Sequence, residues 1–359
     1  MPNADEREKK KVVVIGGGVG GSILAYTIQS SFEVVLIDQK EYFEIPWSCL
    51  RAVVEPSFAE RALINHSDYL PKAHIIASAA TGITGTQVLT ADGHACPYDY
   101  LVIATGHQDC AAKTRSERLD HYKAEFEKVK SASSILIVGG GPTGVELAAE
   151  IAVDFPEKKV KLVHRGTRLL EFVGPRASEK ALEWLTSRKV EVILDQAINL
   201  NTFSDGVIQT SSGVIIEADC HFDCTGKPMG SSWLEDTIIG KSLDLRGRVM
   251  VDEHMRVRGH QNIFAIGDIT DTAEVKLGYP AQRHALVTAK NLKLLSMGAN
   301  ERKLASHKLS QTYAIISLGR RDAVAQLPMG TLCGSIPGRL KSRDLFVGKT
   351  RKQLGLKPK

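Results

Sequence analysis

The chain has 359 residues, which is long enough for two domains with a sizeable buried core. Its 46 basic and 41 acidic residues leave a net charge of only +5, which is too mild to indicate a nucleic-acid partner by itself. The composition is that of an ordinary globular protein.

The first predicted elements, at residues 12–38, are a strand, a glycine turn, a helix and a second strand. A GxGxxG pattern follows the first strand, with glycines at Gly16, Gly18, Gly20 and Gly21. In a dinucleotide-binding unit such glycines allow a tight turn, the approach of a pyrophosphate and close packing of helix on strand. The helix N-terminus offers N–H groups to phosphate, and Asp38, about 20 residues further on, can accept hydrogen bonds from ribose hydroxyls. The alternative is a glycine turn with a structural role only.

Residues 39–75 have irregular apolar spacing and several prolines, which predicts a loop with short helices. Arg51 in this stretch can reach a pyrophosphate, and a surface arginine is the alternative. Residues 74–103 alternate like strands, and the small residues 104–106 follow the last of them. We expect the chain to leave its first domain there, with Gly106 beside the nucleotide.

A second copy of the unit begins at residue 135. Its strand is followed by glycines with the same spacing, at Gly139, Gly141 and Gly144. A helix is predicted from Pro142 to about Phe155, and then a strand at residues 160–165. Two such units in one chain indicate two nucleotides that face each other.

The two copies end differently. Asp38 at the end of the first would repel a 2′-phosphate, whereas the second ends in His164 and Arg165, with Arg168 nearby. A guanidinium can form a forked, charge-assisted contact with such a phosphate. We therefore expect FAD in the first site and a nicotinamide nucleotide in the second, with a preference for NADPH unless Arg165 points to solvent.

Strands are predicted again at residues 185–226, and they end at Gly226 in a turn like that at Gly106. The segment NIFAIGD ends in Asp268, whose carboxylate can bind the ribityl hydroxyls of a flavin. A helix is predicted at residues 281–295. A pair of strands around Gly319 and a basic tail complete the chain.

This order predicts an α/β fold with two Rossmann-like dinucleotide-binding domains of the glutathione-reductase-like, FAD/NAD(P)-binding type and a short C-terminal section. The FAD-binding domain is predicted to be discontinuous, at residues 1–110 and 235–300. The NAD(P)H-binding domain takes residues 111–234, and the C-terminal section, residues 301–359, lies at the acceptor side.

The motifs VVVIGGGVGG, YDYLVIATG, ILIVGGGPTGVELAAEI, FDCTG and NIFAIGD occur in the order seen in two-dinucleotide-binding flavoproteins. With LRAVVEP, GVELAAEI, FPEKKVKLVH and KSRDLFV, the chain resembles the group of ferroptosis suppressor proteins and apoptosis-inducing-factor homologues, which is related to type II NADH dehydrogenases. This resemblance covers most of the chain.

The resemblance implies FAD as prosthetic group, NADH or NADPH as electron donor and a quinone-type acceptor. It implies that FAD contacts Gly16, Gly18, Gly21, Asp38, Arg51 and Asp268. It implies that the nicotinamide nucleotide contacts Gly139, Gly141, Gly144 and Glu146. Glu146 stands where the group has an acid near the nicotinamide, and Lys113 lies near a lysine of the group.

The chain also departs from the group that it resembles. Its second residue is Pro2, not the glycine that carries lipid in animal ferroptosis suppressors, and its tail is shorter than the membrane-binding end of type II dehydrogenases. Cys49 stands alone where disulfide reductases have a redox pair, so thiol–disulfide chemistry is not expected.

The expected mechanism is hydride transfer from nicotinamide to flavin, followed by electron transfer to an acceptor on the other side. Tyr279 and Gln282, after Asp268, are candidates for the acceptor mouth, and packing and helix-start roles are the alternatives. A soluble reductase for a protein or radical acceptor is a rival interpretation. A DNA-binding, apoptosis-related regulatory flavoprotein is another, although no nucleic-acid motif is present.

Basic residues gather at residues 9–11 and in the tail at residues 339–359. They are predicted to be either a solvated surface or a contact with anionic membrane. The six cysteines show no disulfide or zinc spacing, so we expect free thiols and no metal site. Acidic residues near the N-terminus argue against a transit peptide, and the expected location is cytoplasmic, with a membrane or lipid-droplet surface as the alternative. The oligomeric state is left open.

Overall fold

The computed structural model describes residues 9–108, 112–309 and 313–358. The first stretch contains β1 Lys11–Ile15, α1 Val19–Ile28, β2 Glu33–Asp38, β3 Tyr42–Glu44, α2 Cys49–Val54, α3 Pro56–Ala62, β4 Leu63–Asn65, α4 His66–Tyr69, β5 Ala73–Ala77, β6 Ala80–Ile83, β7 Gln87–Thr90, β8 Ala95–Pro97 and β9 Tyr100–Ile103. The next stretch contains α5 Arg115–Ser131, β10 Ser134–Val138, α6 Pro142–Asp154, β11 Lys159–Val163, α7 Pro175–Ser187, β12 Glu191–Ile193, β13 Val207–Gln209, β14 Ile215–Glu217 and β15 Cys220–Asp223. The rest contains β16 Ile263–Ala265, α8 Gly278–Ser296, β17 Ala314–Leu318, β18 Asp322–Leu327, β19 Gly330–Gly334, α9 Ser335–Lys341 and α10 Val347–Gln353.

A parallel five-stranded sheet in the order β16-β9-β1-β2-β5 forms the first core. Its central strand β1 is fully buried at Val12, Val13 and Val14, as expected of a parallel strand covered on both faces. Helices α1 and α8 pack against each other on this sheet. Strand β16 comes from the last third of the sequence, so the strands of the second sheet lie between β9 and β16 in the chain.

A second parallel sheet has the order β12-β11-β10-β15. Each glycine turn follows an inner strand of its sheet, β1 in the first and β10 in the second. In open parallel sheets, ligands bind beyond the carboxyl ends of the strands, which is where both turns lie. The fold-class prediction of two Rossmann-like units is confirmed.

Two crossing segments connect the sheets. Residues 106–108 run beside residues 228–230, with hydrogen bonds from Gly230 N–H to Gly106 O at 2.9 Å and from Gln108 N–H to Pro228 O at 2.9 Å. His107 and Met229 form an isolated antiparallel bridge between them. The predicted turns at Gly106 and Gly226 therefore lie at this crossing.

The C-terminal section is more ordered than its sequence indicated. The expected strand pair around Gly319 is present as β17 and β18, and β19 adds a third antiparallel strand. The basic tail folds into α9 and α10, where Leu345, Val347 and Leu354 join the first core. Lys341 and Arg351 are buried, so the expectation that the tail is wholly a solvated or membrane-facing surface is wrong for them. No described helix is long and apolar enough to cross a membrane.

Arg51 does not lie where its sequence position suggested. Its side chain is 2% exposed and binds Glu150 of α6 through two hydrogen bonds, of 3.0 and 2.7 Å. It also donates to the carbonyl oxygens of Ser342, at 2.8 Å, and Gly319, at 3.2 Å. Instead of reaching a pyrophosphate, Arg51 joins α2 to α6 and to the C-terminal section.

Replacing Arg51 by Met should lower the free energy of unfolding by about 3–5 kcal/mol, because Glu150 would remain buried without its partner. Urea denaturation measures this change. Lys123→Met, in the exposed pair with Asp120, is the control and should leave the unfolding midpoint nearly unchanged. If Arg51→Met protein unfolded like the wild type but purified without FAD, the result would show instead that Arg51 contacts the pyrophosphate.

Candidate active site

A cleft of about 1900 Å³ opens at the carboxyl ends of both parallel sheets. Its wall includes residues of the first glycine turn, of the second glycine turn and of the C-terminal section. The two nucleotide-binding units therefore face one shared space, as their repeated motifs predicted.

The first glycine turn keeps the N-terminus of α1 open. Gly16 has φ +102°, and a Cβ there would clash with the carbonyl oxygen of Ala104. A Cβ on Gly21 would collide with the carbonyl oxygen of Gly16, because the helix packs closely on the strand at this position. Gly18 is the N-cap of α1, and no described atom lies within 4 Å of the place its Cβ would take. This open space beside unpaired helix N–H groups suits a phosphate.

The second glycine turn repeats this arrangement. Gly139 has φ +117°, and Cβ atoms on Gly139 and Gly144 would clash with the carbonyl oxygens of Cys224 and Gly139. Gly141 is the N-cap of α6 and again has open space in front of it. Pro142 and Thr143, the next residues, line the cleft.

The side chains under the two turns differ in charge. Asp38 lines the cleft and accepts the backbone N–H of Gly17 and, at 2.7 Å, that of Lys40. At the matching place His164 accepts the N–H of Gly140 through Nδ1, at 3.1 Å. Because Nδ1 accepts, the proton of the neutral ring is on Nε2, which is buried and has no partner in the described part of the chain. Burial lowers the pKa of His164, so a neutral donor replaces the carboxylate.

The two arginines near His164 have different surroundings. Arg165 is exposed. The guanidinium of Arg168 donates to the carbonyl oxygens of Val173, at 2.8 Å, and Glu171, at 2.6 Å. Arg168 is therefore occupied by its own loop, whereas Arg165 is exposed to solvent and is not among the residues that line the cleft.

A cluster of charged groups lies at the end of β16. Asp268 lines the cleft, and its Oδ2 is 3.2 Å from Nδ1 of His107, which also lines it. Lys276 lines the same wall and donates to the carbonyl oxygens of Thr270, at 2.7 Å, and Thr272. Burial lowers the pKa of Lys276. Sequence reasoning missed His107 and Lys276, which belong to no motif.

A buried carboxylate and a buried ammonium meet in the cleft wall beside the second turn. Glu146 of α6 accepts the N–H of Ser317 at 2.8 Å and the ammonium of Lys341. Lys341 also donates to the carbonyl oxygen of Ile315 at 2.7 Å. The expected acid at position 146 thus lines the cleft, with a lysine 195 residues away as its partner. The segment KSRDLFV, which starts at Lys341, was the only sequence signal for that partner.

An apolar wall continues from the side of the cleft where Asp268 lies. Tyr279 and Gln282, the candidates for the acceptor mouth, line the cleft from the first turns of α8. Trp47 packs so closely on Gly278 that a Cβ there would clash with its ring. The C-terminal section contributes Tyr313, Ile315 and Phe346.

The remaining predicted residues divide between cleft and surface. Gly20, Gly106 and Gly226 line the cleft. Lys113 does not: it is exposed, its backbone N–H donates to Glu117 and its carbonyl accepts the N–H of Glu41. Its expected catalytic role has no support from this position.

The cleft fits two dinucleotides. Each half offers an open helix N-terminus for a pyrophosphate, and Asp38 and Asp268 offer carboxylates to hydroxyl groups. Thr105 Oγ1 and Trp47 Nε1 are buried polar atoms of the wall that lack a partner among the described residues, and a bound molecule can satisfy them.

Known proteins resemble this chain along most of its length. Residues 10–287 match the family model for pyridine nucleotide-disulphide oxidoreductases. The chain is 34% identical to apoptosis-inducing factor homolog B of Dictyostelium discoideum, with 97% of each covered. It is 31% identical to ferroptosis suppressor protein 1 of Homo sapiens, with 97% of this chain and 96% of that one covered. The solved structure of sulfide:quinone oxidoreductase from the bacterium Aquifex aeolicus has a TM-score of 0.76 at 19% identity and covers 96% of this chain and 92% of that one.

The match to the solved structure shows the fold, and the closer sequence matches show the family. Membership of this family also confirms the expected cofactors, FAD and NADH or NADPH. The chain belongs to the pyridine nucleotide-disulphide oxidoreductase family, in the group that contains apoptosis-inducing factor homologues and ferroptosis suppressor proteins.

Proposed function

We propose that this NAD(P)H oxidoreductase passes electrons through FAD to a quinone-type acceptor. The observation that carries the proposal is that one cleft runs from both glycine turns to an aromatic and apolar wall. That wall is formed by Trp47, Tyr279, Tyr313, Ile315 and Phe346. Flat apolar rings bind such walls by burial and ring stacking.

The residues of the cleft have distinct roles in this proposal. When bound, FAD supplies the two-electron chemistry between the nicotinamide and the acceptor. Gly18 and Gly141 leave the two helix N-termini free for pyrophosphates, and Asp268 holds hydroxyls of the flavin side chain. Glu146, fixed by Lys341 and Ser317, shapes the wall where the nicotinamide half enters.

The thiols of the cleft favour this acceptor over a disulfide. Burial raises the pKa of Cys49 and of Cys224 to about 12, so both stay protonated at neutral pH. Cys49 donates its S–H to the carbonyl oxygen of Pro46 at 2.8 Å. A thiol that attacks or exchanges disulfides needs a thiolate, which requires a lowered pKa.

A peripheral membrane contact also belongs to the proposal, but through α9 and not through the whole tail. Ile336 and Leu340 lie four residues apart on α9 and are 70% and 66% exposed. Arg339 beside them is exposed and basic. An apolar stripe flanked by positive charge suits the surface of an anionic bilayer.

The two glycine turns can be tested as a matched pair. A Cβ at Gly18 or Gly141 would meet no other described atom within 4 Å, so we expect the Gly18→Val and Gly141→Val proteins to fold. Gly18→Val should purify with little FAD, whereas Gly141→Val should keep FAD but resist reduction by NADH or NADPH. Absorbance spectra before and after addition of the nucleotide measure both effects. Exchanged results would show that the sites are assigned in the wrong order.

Steady-state turnover with a water-soluble quinone, a ferredoxin and a disulfide tests the acceptor. We expect the quinone to be reduced fastest. Tyr279→Ala should raise the KM for quinone about two- to tenfold, which corresponds to the loss of one aromatic contact, and leave flavin reduction by NADH unchanged. Leu286→Ala, an exposed position later on α8, is the control. Faster turnover with ferredoxin, or equal KM values for wild type and Tyr279→Ala, would refute the quinone site.

The coenzyme preference rests on Arg165. Its contact with a 2′-phosphate is of order 1.5–3 kcal/mol, so Arg165→Glu should raise the KM for NADPH by at least about tenfold and spare NADH. The carboxylate of Glu171 opposes this preference, because a negative charge beside Arg165 would repel the 2′-phosphate. Glu171 faces Gly166, and its charge acts on His164. Glu171→Gln should therefore lower the KM for NADPH. Equal shifts for both nucleotides would mean that Arg165 serves the pyrophosphate or the fold.

A further inference from the structure

Three buried polar side chains meet behind the flavin side of the cleft. Oε2 of Glu274 lies 3.1 Å from Nε2 of His284 and 2.6 Å from Nε2 of His307. All three side chains are at most 3% exposed, and the two imidazole rings meet edge to face with their centroids 4.4 Å apart. They come from the loop before α8, from α8 and from the connection to β17, so the cluster joins three segments.

A carboxylate and two histidines can hold a divalent metal ion, but the hydrogen bonds of His284 oppose that use. The backbone N–H of Gly267 donates to Nδ1 of His284 at 3.1 Å. The Nδ1 lone pair is therefore occupied, and the proton of the neutral ring is on Nε2, where it donates to Glu274. A metal-bound imidazole has the opposite arrangement, with its second nitrogen as a donor.

Burial keeps the ring of His284 neutral at neutral pH. Burial lowers its pKa to about 4; His307 and Lys276 also lower it, and Glu274 raises it. A neutral imidazole has one acceptor and one donor. In His284 both are used, the acceptor by Gly267 and the donor by Glu274.

The residue that His284 holds begins the turn of Asp268. Gly267 is buried with φ +77°, a left-handed conformation, and its carbonyl oxygen accepts the hydroxyl of Thr270 at 2.9 Å. The N–H and the C=O of Gly267 are thus both fixed by side chains. The next residue, Asp268, faces the cleft, so the position of its carboxylate depends on this turn.

We propose that His284 is a positioning residue for FAD, which places Asp268 through Gly267 and is itself oriented by Glu274 and His307. His307 is anchored independently, because its backbone N–H donates to the carbonyl oxygen of Glu253 at 2.6 Å. The connection that leads to the C-terminal section is therefore linked to the flavin site. The inference depends on FAD as cofactor and not on the identity of the acceptor.

Two substitutions of His284 separate its two hydrogen bonds. Asn places its amide oxygen where Nδ1 of His284 lies, so it keeps the acceptor for Gly267 N–H but has no donor toward Glu274. Gln places its amide where Nε2 lies, so it keeps a donor toward Glu274 but has no acceptor for Gly267 N–H. FAD dissociation constants from titration of the apoprotein should rise about fivefold or more in His284→Gln, the factor expected for one hydrogen bond, and less in His284→Asn. His94→Gln, at an exposed histidine, is the control.

Thermal unfolding of the apoproteins distinguishes positioning from a general loss of stability. Similar midpoints for His284→Asn and His284→Gln, with different FAD affinities, support the proposal. Equal affinities, or tighter binding by His284→Gln, overturn it.

A measurement on the wild-type holoprotein tests the tautomer of His284 directly. In ¹⁵N-histidine NMR spectra, His284, assigned by the signal that His284→Asn loses, should have its proton on Nε2 at neutral pH. A proton on Nδ1, or stoichiometric uptake of Zn²⁺ that His284→Asn abolishes, would overturn the proposal. Wild-type protein that does not bind FAD at all would instead refute the cofactor.

Discussion

The buried ion pair between Arg51 and Glu150 is the contact on which the placement of the three parts depends. It joins α2, which follows the first glycine unit in the chain, to α6 of the second unit, and Arg51 also binds two carbonyl oxygens of the C-terminal section. A buried charge without a partner is strongly unfavourable, so α6 cannot move away without leaving a charge unpaired. If the C-terminal section moved away, buried N–H groups of Arg51 would lose their two carbonyl acceptors. The cleft between these parts keeps its shape for the same reason.

Helix α6 uses one face for two tasks. Glu146 and Glu150 are four residues apart and point to the same side of the helix. Glu150 binds Arg51, while Glu146 binds Lys341 at the cleft wall. Because Lys341 and Ser342 are neighbours, the structural pair and the pair at the site are fixed by one short segment of the C-terminal section. A displacement of that segment would therefore disturb stability and the cleft wall beside the second glycine turn together.

The local motifs were predictable because their cause is local. A glycine with positive φ, a helix that begins at the next turn and an acid at the end of the second strand are set by residues close in sequence. The turns at Gly16 and Gly139 and the carboxylate of Asp38 are therefore where the pattern indicated. Arg51 misled for the same reason: its place in the sequence suggested a nearby phosphate, whereas its partner, Glu150, is 99 residues away.

The sequence by itself determined the two glycine turns and the strands and helices that flank them, because glycine spacing and strand periodicity follow from backbone sterics. Only the tertiary structure decided which charged residues are buried and paired. In the sequence Lys341 and Arg351 are part of a basic tail, but in the structure both are buried. His284 belongs to no sequence motif, and its role becomes visible only through the hydrogen bond from Gly267 N–H. Pairing of this kind depends on distances between segments far apart in the chain, and no local pattern specifies those distances.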